Sequence, residues 1–487
     1  MTLFVISLIV LVGGYFVYGS FVSRAVKPDP AAATPATRLN DGVDYMPMAP
    51  WRVFMIQFLN IAGLGPIFGA IMGVMFGPAA FLWIALGTIF AGGVHDYLSG
   101  MMSLRSDGAS LPMLIGSQLG TNARRLMNVF SVVLLILVGA VFILTPAGIV
   151  ASMTPEVLDT TFWICAIFLY YMLATLLPID KLIGKLYPFF GGALLFMAVG
   201  IMVVLFSGQV TIPVDLAEGF GNRSLNPSTH PIFPMMFVSI ACGAISGFHA
   251  TQSPMMARCL TNERLARPIF YGAMVAEGIV ALIWAAAAIA FTGGYEQLSE
   301  YMNQPGASAG SLVRDISIGW LGTVGGILAI LGVVAAPITT GDTALRSARL
   351  IVAEAVGLDQ AKLTRRLILT IPLFALVYGV LMIDFQVLWR YFACANQIMA
   401  ACTLWAVTVW LSRRQGTLWF VVTLVPAAFM TTVCITYLLF APRPEGFGLS
   451  MSTALTCASL VTLAATALFF YRLPALRPSG ATGLVKE

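Results

Sequence analysis

The chain has 487 residues, of which 59% are hydrophobic and only 10% charged, with a formal net charge of +5 and a mean hydropathy of +0.91. Soluble domains carry about 25% charged residues, so this composition excludes a soluble enzyme and describes a polytopic, all-α membrane protein. The small positive balance does not point to nucleic acid, because the basic residues fall in short loops between apolar runs.

A membrane helix needs about 20 mainly apolar residues. On that rule the sequence predicts thirteen spans, at 2–22, 53–76, 80–99, 126–150, 161–177, 187–207, 232–252, 268–291, 317–338, 367–384, 386–411, 417–440 and 451–471. The first run lacks a basic leader and is longer than a signal-peptide core, so it is expected to be a retained span. The longest segments between spans are 23–52, 208–231, 292–316 and 339–366, and none is long enough for a soluble domain. Cytoplasmic loops carry an excess of Lys and Arg. With the N-terminus outside, 22 of the 26 basic residues fall on inside segments, from Arg24 and Lys27 through Arg105, Arg258 and Arg366 to Lys486. Only Arg223, Arg314 and Arg443 fall outside, and Arg390 lies in a span. An error of one span would invert every later loop, so the asymmetry supports the count and predicts a cytoplasmic C-terminus.

The span at 53–76 contains Phe58-Leu59-Asn60-Ile61-Ala62-Gly63-Leu64-Gly65-Pro66, with Gly69 beyond it. Gly and Pro interrupt helices, and backbone unwinds at membrane depth only where protein or a cavity satisfies it. An interrupted span is therefore a pointer to a binding site. Gly-rich helices also pack closely, and this stretch alone leaves both readings open. Five spans later, 232–252 carries Gly243 and Gly247 in its centre, and Phe237, Ile240 and Ala241 match Phe58, Ile61 and Ala62 at constant offset. Five spans reverse the membrane direction, which predicts an inverted repeat of five helices plus five. The expected parts are a first helix and loop at 1–52, repeats at 53–207 and 232–411 joined by an external loop at 208–231, and two added helices with a tail at 412–487. The short acidic stretch Asp41-Gly42-Val43-Asp44-Tyr45, just before the first interrupted span, reads as a solvated turn or as a latch.

Ionisable residues inside spans are costly and usually face the bundle interior. Here they are His95 and Asp96, His249, Glu277, Asp342, Asp384 and Arg390. Glu277, alone among Ala and Val, needs a partner or a proton. Asp96 and Asp342 also read as interfacial partners of Arg105 and Arg346, His249 as a packing residue, and Asn60, Asn396 and Gln397 as bridges between helices. Asp384 and Arg390 read as an outer ion pair or gate. The seven cysteines show no CxxC or Cys/His metal spacing, and no P-loop, HExxH or Rossmann pattern occurs. ATP-driven transport and enzyme chemistry are therefore not expected, nor is a metal site.

Several stretches resemble one known family. They are Pro35-Ala36-x-Arg38-x-Asn40-Asp41-Gly42-x-Asp44-Tyr45-x-Pro47, Ile61-Ala62-Gly63-x-Gly65-Pro66, and Ala91-Gly92-x-x-x-Asp96 followed by Arg105-x-Asp107-Gly108-x-Ser110-Leu111. The most specific is Ile240-Ala241-Cys242-Gly243-Ala244-Ile245-Ser246-Gly247-Phe248-His249-Ala250, and Glu277, Asp342 and Ala395-Asn396-Gln397 also fit. Over residues 1–410 the chain resembles the carbon starvation protein A (CstA) family. The resemblance implies a multi-pass importer of the bacterial cytoplasmic membrane with a LeuT-like core, taking up short peptides or pyruvate with protons. The chain departs from the family pattern at Ala70, where a second Pro is usual, and near Val333, where an acidic residue is usual.

Together these readings predict a secondary active transporter of small carboxylate-bearing nutrients. A channel and a sodium-coupled amino-acid importer are the alternatives. The expected substrate site comprises Asn60, Ala62, Gly63, Gly65, Cys242, Gly243, Ser246, His249, Asn396 and Gln397. Glu277, His249 and Asp96 are expected to couple protons, with sodium as the other candidate ion, and Asp384 and Arg390 to form a gate. The expected partners are the substrate and the lipid bilayer.

Overall fold

The computed structural model describes residues 1–42, 44–176, 179–213, 219–360, 362–413 and 418–476, with the side chains at 176, 179–188, 324, 328 and 386 left aside. Val43, the side chains of Lys181 and Lys185, and Arg414, Arg477 and Lys486 thus lie outside the described residues. Among the described residues every regular element is a helix. The principal ones are α1 (Thr2–Val26), α2 (Pro50–Ile61), α3 (Gly65–Val74), α4 (Ala79–Leu104), α5 (Thr121–Ala151), α6 (Thr160–Leu176) and α7 (Ile179–Phe206). They continue with α8 (Gly247–Ala257), α9 (Glu263–Thr292), α10 (Ala309–Val356), α11 (Leu363–Val380), α12 (Phe385–Ser412), α13 (Leu418–Phe440) and α14 (Met451–Leu476).

Ten of these helices are long and apolar enough to cross a membrane, or eleven if α2 and α3, bent by 54° at their junction, are one span. The other two predicted spans differ for physical reasons. Thr160–Thr175 is apolar but short, and 232–257 is divided into several pieces. The chain is a multi-pass membrane protein. Its lipid-facing sides are the exposed apolar residues of α1, α11 and α14, among them Phe16, Val17, Ile368, Ile371, Leu460 and Leu463. α10 packs along both α5 and α7, while α14 leans mainly on α13 at the periphery.

The segment 339–366, expected as a loop, is mostly helical. α10 runs on to Val356 and ends on Gly357 in the left-handed conformation (φ 69°, ψ 29°). Hydropathy stops at the charges of Asp342 and Arg346, whereas Ala, Leu, Arg and Glu between 344 and 355 are all strong helix formers. Gly322 breaks the same helix near its start, with φ 68° and ψ −179°.

Loop residues pair with one another at both ends of the bundle. At one end the loops after α1, α4, α8 and α10 meet. Arg105 makes a two-pronged ion pair with Glu263 (2.8 and 2.7 Å) and also donates to Lys27 O. Arg258 reaches Gly108 O (2.9 Å) and Glu354 (3.1 Å), and Arg413 reaches Ser117 O and Gln118 O. This is the basic face. At the opposite end Arg223 N donates to Phe76 O, and Arg390 pairs with Glu445.

Candidate functional site

The first interruption follows from its residues. α2 begins on Pro50, a good first helical residue, and runs to Ile61. Ala62–Leu64 leave the helix, and Pro66 has no N–H with which to resume the α-helical ladder. Thr340 of α10 takes up one freed acceptor, donating to Leu59 O at 2.9 Å. The second interruption comes in two steps. Ile240 (φ −87°, ψ 49°) ends one short helix, and Ile245 and Ser246 are extended before α8 begins at Gly247.

Side chains from neighbouring helices satisfy this opened backbone, as membrane depth requires. Thr88 of α4 donates to Gly243 O (3.1 Å), and Gln397 donates to Ile245 O (3.2 Å). Asn396 Oδ1 accepts from Phe248 N (2.7 Å) and from Ser246 Oγ (3.0 Å), while its amide donates to Cys242 Sγ (3.5 Å). Asn396 therefore acts as the N-terminal cap of α8 from another helix. Cys242, Ser246, Asn396 and Gln397, all predicted site residues, are gathered at this one junction.

The two interruptions touch. A Cβ on Gly65 would overlap the Cys242 side chain, one on Gly69 would lie 2.9 Å from Ser239 O, and Gly243 faces Pro66 Cα. Gly63 lies against Phe142 and Thr340. Unwinding and close packing, which the sequence leaves as alternatives, are both present: the helices break, and glycine lets the broken ends meet. Asn60, Ala62, Cys242, Ser246 and His249 are all buried.

Beside this junction lies a chain of ionisable side chains, each with no solvent exposure. Asp96 Oδ1 meets His95 Nδ1 at 2.7 Å, and Asp96 Oδ2 meets His249 Nδ1 at 2.8 Å. On its other edge His249 Nε2 stands 3.4 Å from Glu277 Oε2. The sequence names Asp96, His249 and Glu277, and the structure brings them into line across α4, α8 and α9. Asp96 does not pair with Arg105, whose partner is Glu263. His95 completes the line. It stands beside Asp96 in the sequence without an assigned role, and the His-Asp pair inside an apolar run was the signal for it. The line holds two carboxylates and two imidazoles, so its net charge equals its number of titrating protons minus two, and it is neutral with two.

The expected Asp384–Arg390 pair is not the one formed by Arg390. Arg390 Nε lies 2.9 Å from Glu445 Oε1, and Tyr437 donates to the other Glu445 oxygen (3.2 Å). Asp384 accepts from Val387 N (3.3 Å) at the start of α12. Six residues of helix turn the side chain by roughly 240°, so the two point apart. Arg390 and Glu445 instead help line a cavity of about 310 Å³ at the end opposite the basic face, together with Met72, Met75, Met235 and Trp389. That cavity is walled by the residues just beyond both interruptions.

On the basic face Asp41 and the Asp44–Met48 stretch are docked. Asp41 folds its carboxylate onto Asp44 N and Tyr45 N (2.9 Å each), and Met46 N and Met48 N donate to Arg258 O and Cys259 O. Tyr45 donates to Asp107 O (2.9 Å) and sits under the Arg258 guanidinium, while Arg38 pairs with Asp107. Burial raises the Tyr45 hydroxyl above its usual range, with Arg258 pulling the other way.

Comparison with known proteins adds the following. The profile of the family described as carbon starvation protein CstA matches residues 1–158, 149–325 and 307–437. An uncharacterized membrane protein of Haemophilus influenzae is 43% identical over 330 residues, covering 58% of this chain and 89% of its own length. The peptide transporter CstA of Campylobacter jejuni is 29% identical, and the pyruvate/proton symporter BtsT of Escherichia coli 28%. Those matches cover 55% and 63% of this chain, and only 47% and 51% of the relatives, so the chain spans about half the length of either. Among solved structures, MhsT in complex with L-phenylalanine superposes with a TM-score of 0.55 at 14% identity, covering 85% of this chain and 97% of that one. A manganese transporter of Eremococcus coleocola superposes with a TM-score of 0.53 at 12% identity, covering 90% and 99%. The fold is thus of the LeuT-like class.

Proposed function

The chain belongs to the carbon starvation protein CstA family, and from that premise we propose that it is a secondary active transporter. It imports small carboxylate-bearing nutrients, short peptides or pyruvate, together with protons, by alternating access. Transporters, and not enzymes, are what its named relatives and structural neighbours are. The N-terminus lies outside, the basic face is cytoplasmic, and 53–207 and 232–411 are inverted halves of one core.

The observation that carries this reading is the buried line His95–Asp96–His249–Glu277 next to the meeting point of the two interrupted helices. Four titrating groups away from water are expensive to maintain for packing alone. Beside a substrate site they are the means by which proton and substrate binding influence each other. The cavity at Arg390 is the entry side, and the docked Asp44–Met48 stretch closes the exit side.

The test is uptake into proteoliposomes of labelled pyruvate and labelled dipeptides, with and without an inward proton gradient. Proton-stimulated uptake and accelerated counterflow are expected. Uptake of neither substrate under any gradient removes the substrate proposal. Flux without counterflow replaces the transporter with a channel, and uptake that follows sodium and ignores pH replaces the coupling ion.

A further inference from the structure

Buried polar groups in folded proteins nearly always find partners. Around the two interruptions several do not. Both side-chain polar atoms of Gln57 and both of Asn60 are buried without a hydrogen-bond partner among the described residues. So are Gln252 Oε1, His249 Nε2 and both oxygens of Glu277, one of which stands 3.4 Å from His249 Nε2. Gln57, Asn60, Gln252 and Glu277 have no solvent exposure. Unmet buried polar groups are costly, so a cluster of them needs an explanation beyond packing.

Helical register brings these groups to one place. On α2, Met55 and Leu59 pack against Gly191 of α7, and Phe54 lies beside Gly272 at the start of the apolar part of α9. Leu59 O meets Thr340 of α10. At about 100° per residue, Gln57 and Asn60 fall on the side opposite Met55 and Leu59. α2 also packs on α8 and α9, and α8 is the neighbour left for that side. On α8, Gln252 is one turn from His249, and its amide nitrogen is already used on Thr251 Oγ1 (2.9 Å), leaving only the oxygen. On α9, Ala281, one turn from Glu277, meets Gly243 at the interruption.

The chemistry of the cluster is lopsided. It offers acceptors in excess: three carboxamide oxygens and a carboxylate, against two carboxamide NH2 groups. Pyruvate has only acceptors. A short peptide has an ammonium with three donors and an amide N–H beside it, as well as carbonyls for the two NH2 groups. We propose that Gln57, Asn60, Gln252 and Glu277 form a subsite for the amino end of a short peptide, with the Glu277 carboxylate on the ammonium and the carboxamides on the first peptide unit. This rests on the transporter reading above and narrows its substrate to peptides with a free amino end. Gln57 and Gln252 are its new members.

The experiment measures binding to the purified full chain by ligand-induced shift of the melting temperature and by competition against labelled dialanine in proteoliposomes. Dialanine is expected to bind, and N-acetyl-dialanine and pyruvate to compete at least about tenfold more weakly. Gln57→Leu and Gln252→Leu should weaken dialanine about tenfold while leaving the ligand-free melting temperature unchanged or higher, because each removes an unmet buried group. A purely structural glutamine would lower it. The inference is overturned if N-acetyl-dialanine competes as well as dialanine, if pyruvate alone is bound, or if both Leu variants bind dialanine like the parent. Proton-driven uptake of pyruvate alone would sink this inference and leave the transporter reading standing. Absence of any proton-driven uptake would sink that reading itself.

Discussion

Replacing Asn396 with Ala removes the acceptor that closes the second interruption. In the parent, Asn396 Oδ1 receives Phe248 N at 2.7 Å and Ser246 Oγ at 3.0 Å, both buried. Phe248 N is among the first N–H groups of α8 and has no intrahelical acceptor to turn to. Two stranded donors cost about 2–6 kcal/mol by the penalty for unmet buried groups. Hydrogen bonds within membranes measure weaker, averaging about 0.6 kcal/mol, which favours the low end, about 2–3 kcal/mol. At about 1.4 kcal/mol per tenfold, local opening around Ser246 should rise about 30- to 150-fold. Cys242 reports it, since its thiol is buried and touches both Asn396 and Ser246. In a background with the exposed Cys165 and Cys457 replaced by Ser, maleimide labelling of Cys242 should accelerate by that factor in Asn396→Ala. Asn396→Asp keeps both acceptor contacts and should label more slowly than the Ala variant. Labelling of Asn396→Ala at the parent rate would refute the reasoning, and with it the view that α12 holds the interruption open.

Three further outcomes are expected. Asp96→Asn and Glu277→Gln should each lower the stimulation of uptake by an inward proton gradient, by about 5- to 150-fold if a coupling free energy of about 1–3 kcal/mol is lost; uptake of equal gradient dependence in both would make these carboxylates structural. Gly65→Ala should cut the folded yield in size-exclusion chromatography, because its Cβ overlaps Cys242 and overpacking costs about 1–3 kcal/mol; adding Cys242→Gly should restore it. On the basic face, Arg105→Ala removes the two-pronged guanidinium from the mostly buried Glu263 carboxylate, which keeps the Asp29 N–H at 2.8 Å, and should destabilise the protein by about 2 kcal/mol, read as a lowered melting temperature, with Glu263→Gln in addition recovering part of the loss.

Much of this arrangement is legible in the residues. The Gly-Pro content of 58–69 and the small residues of 239–247 mark the interruptions, because Pro66 lacks the N–H a helix needs and Gly disfavours a helix interior. The gathering of Arg105, Arg258 and Arg413 at one end of the bundle is legible because Lys and Arg are scarce enough for their positions to carry information. Asp96, His249 and Glu277 were found for the same reason: few ionisable residues lie at depth, and each needs a partner. What stayed hidden depends on helical phase or on distant chain. Proximity in sequence pairs Arg390 with Asp384, whereas its phase on α12 turns it to Glu445, 55 residues further on. α10 extends past the hydropathy edge because propensity, and not polarity, decides where a packed helix stops. Gln57 and Gln252 are neutral and ordinary in a sequence, and only their burial without partners separates them from other amides.

The line of four side chains also bears on how the proposed alternation is driven. Its members sit on three helices, with His95 and Asp96 on α4, His249 on α8 and Glu277 on α9. Any movement of α8 against α4 or α9 must break one of the contacts at His249. Without protons the line carries two negative charges separated by one imidazole. At about 8 Å and an effective dielectric of about 20 their repulsion is roughly 2 kcal/mol, which favours separation of the helices. With two protons added the line is neutral and that repulsion is gone. A difference of that size moves a two-state equilibrium by about 30-fold, without any contribution from the substrate. α12 holds the second interruption through Asn396 and Gln397, while α10 holds the first through Thr340. The two interruptions are thus anchored to different helices, and His249 stands at the seam between them.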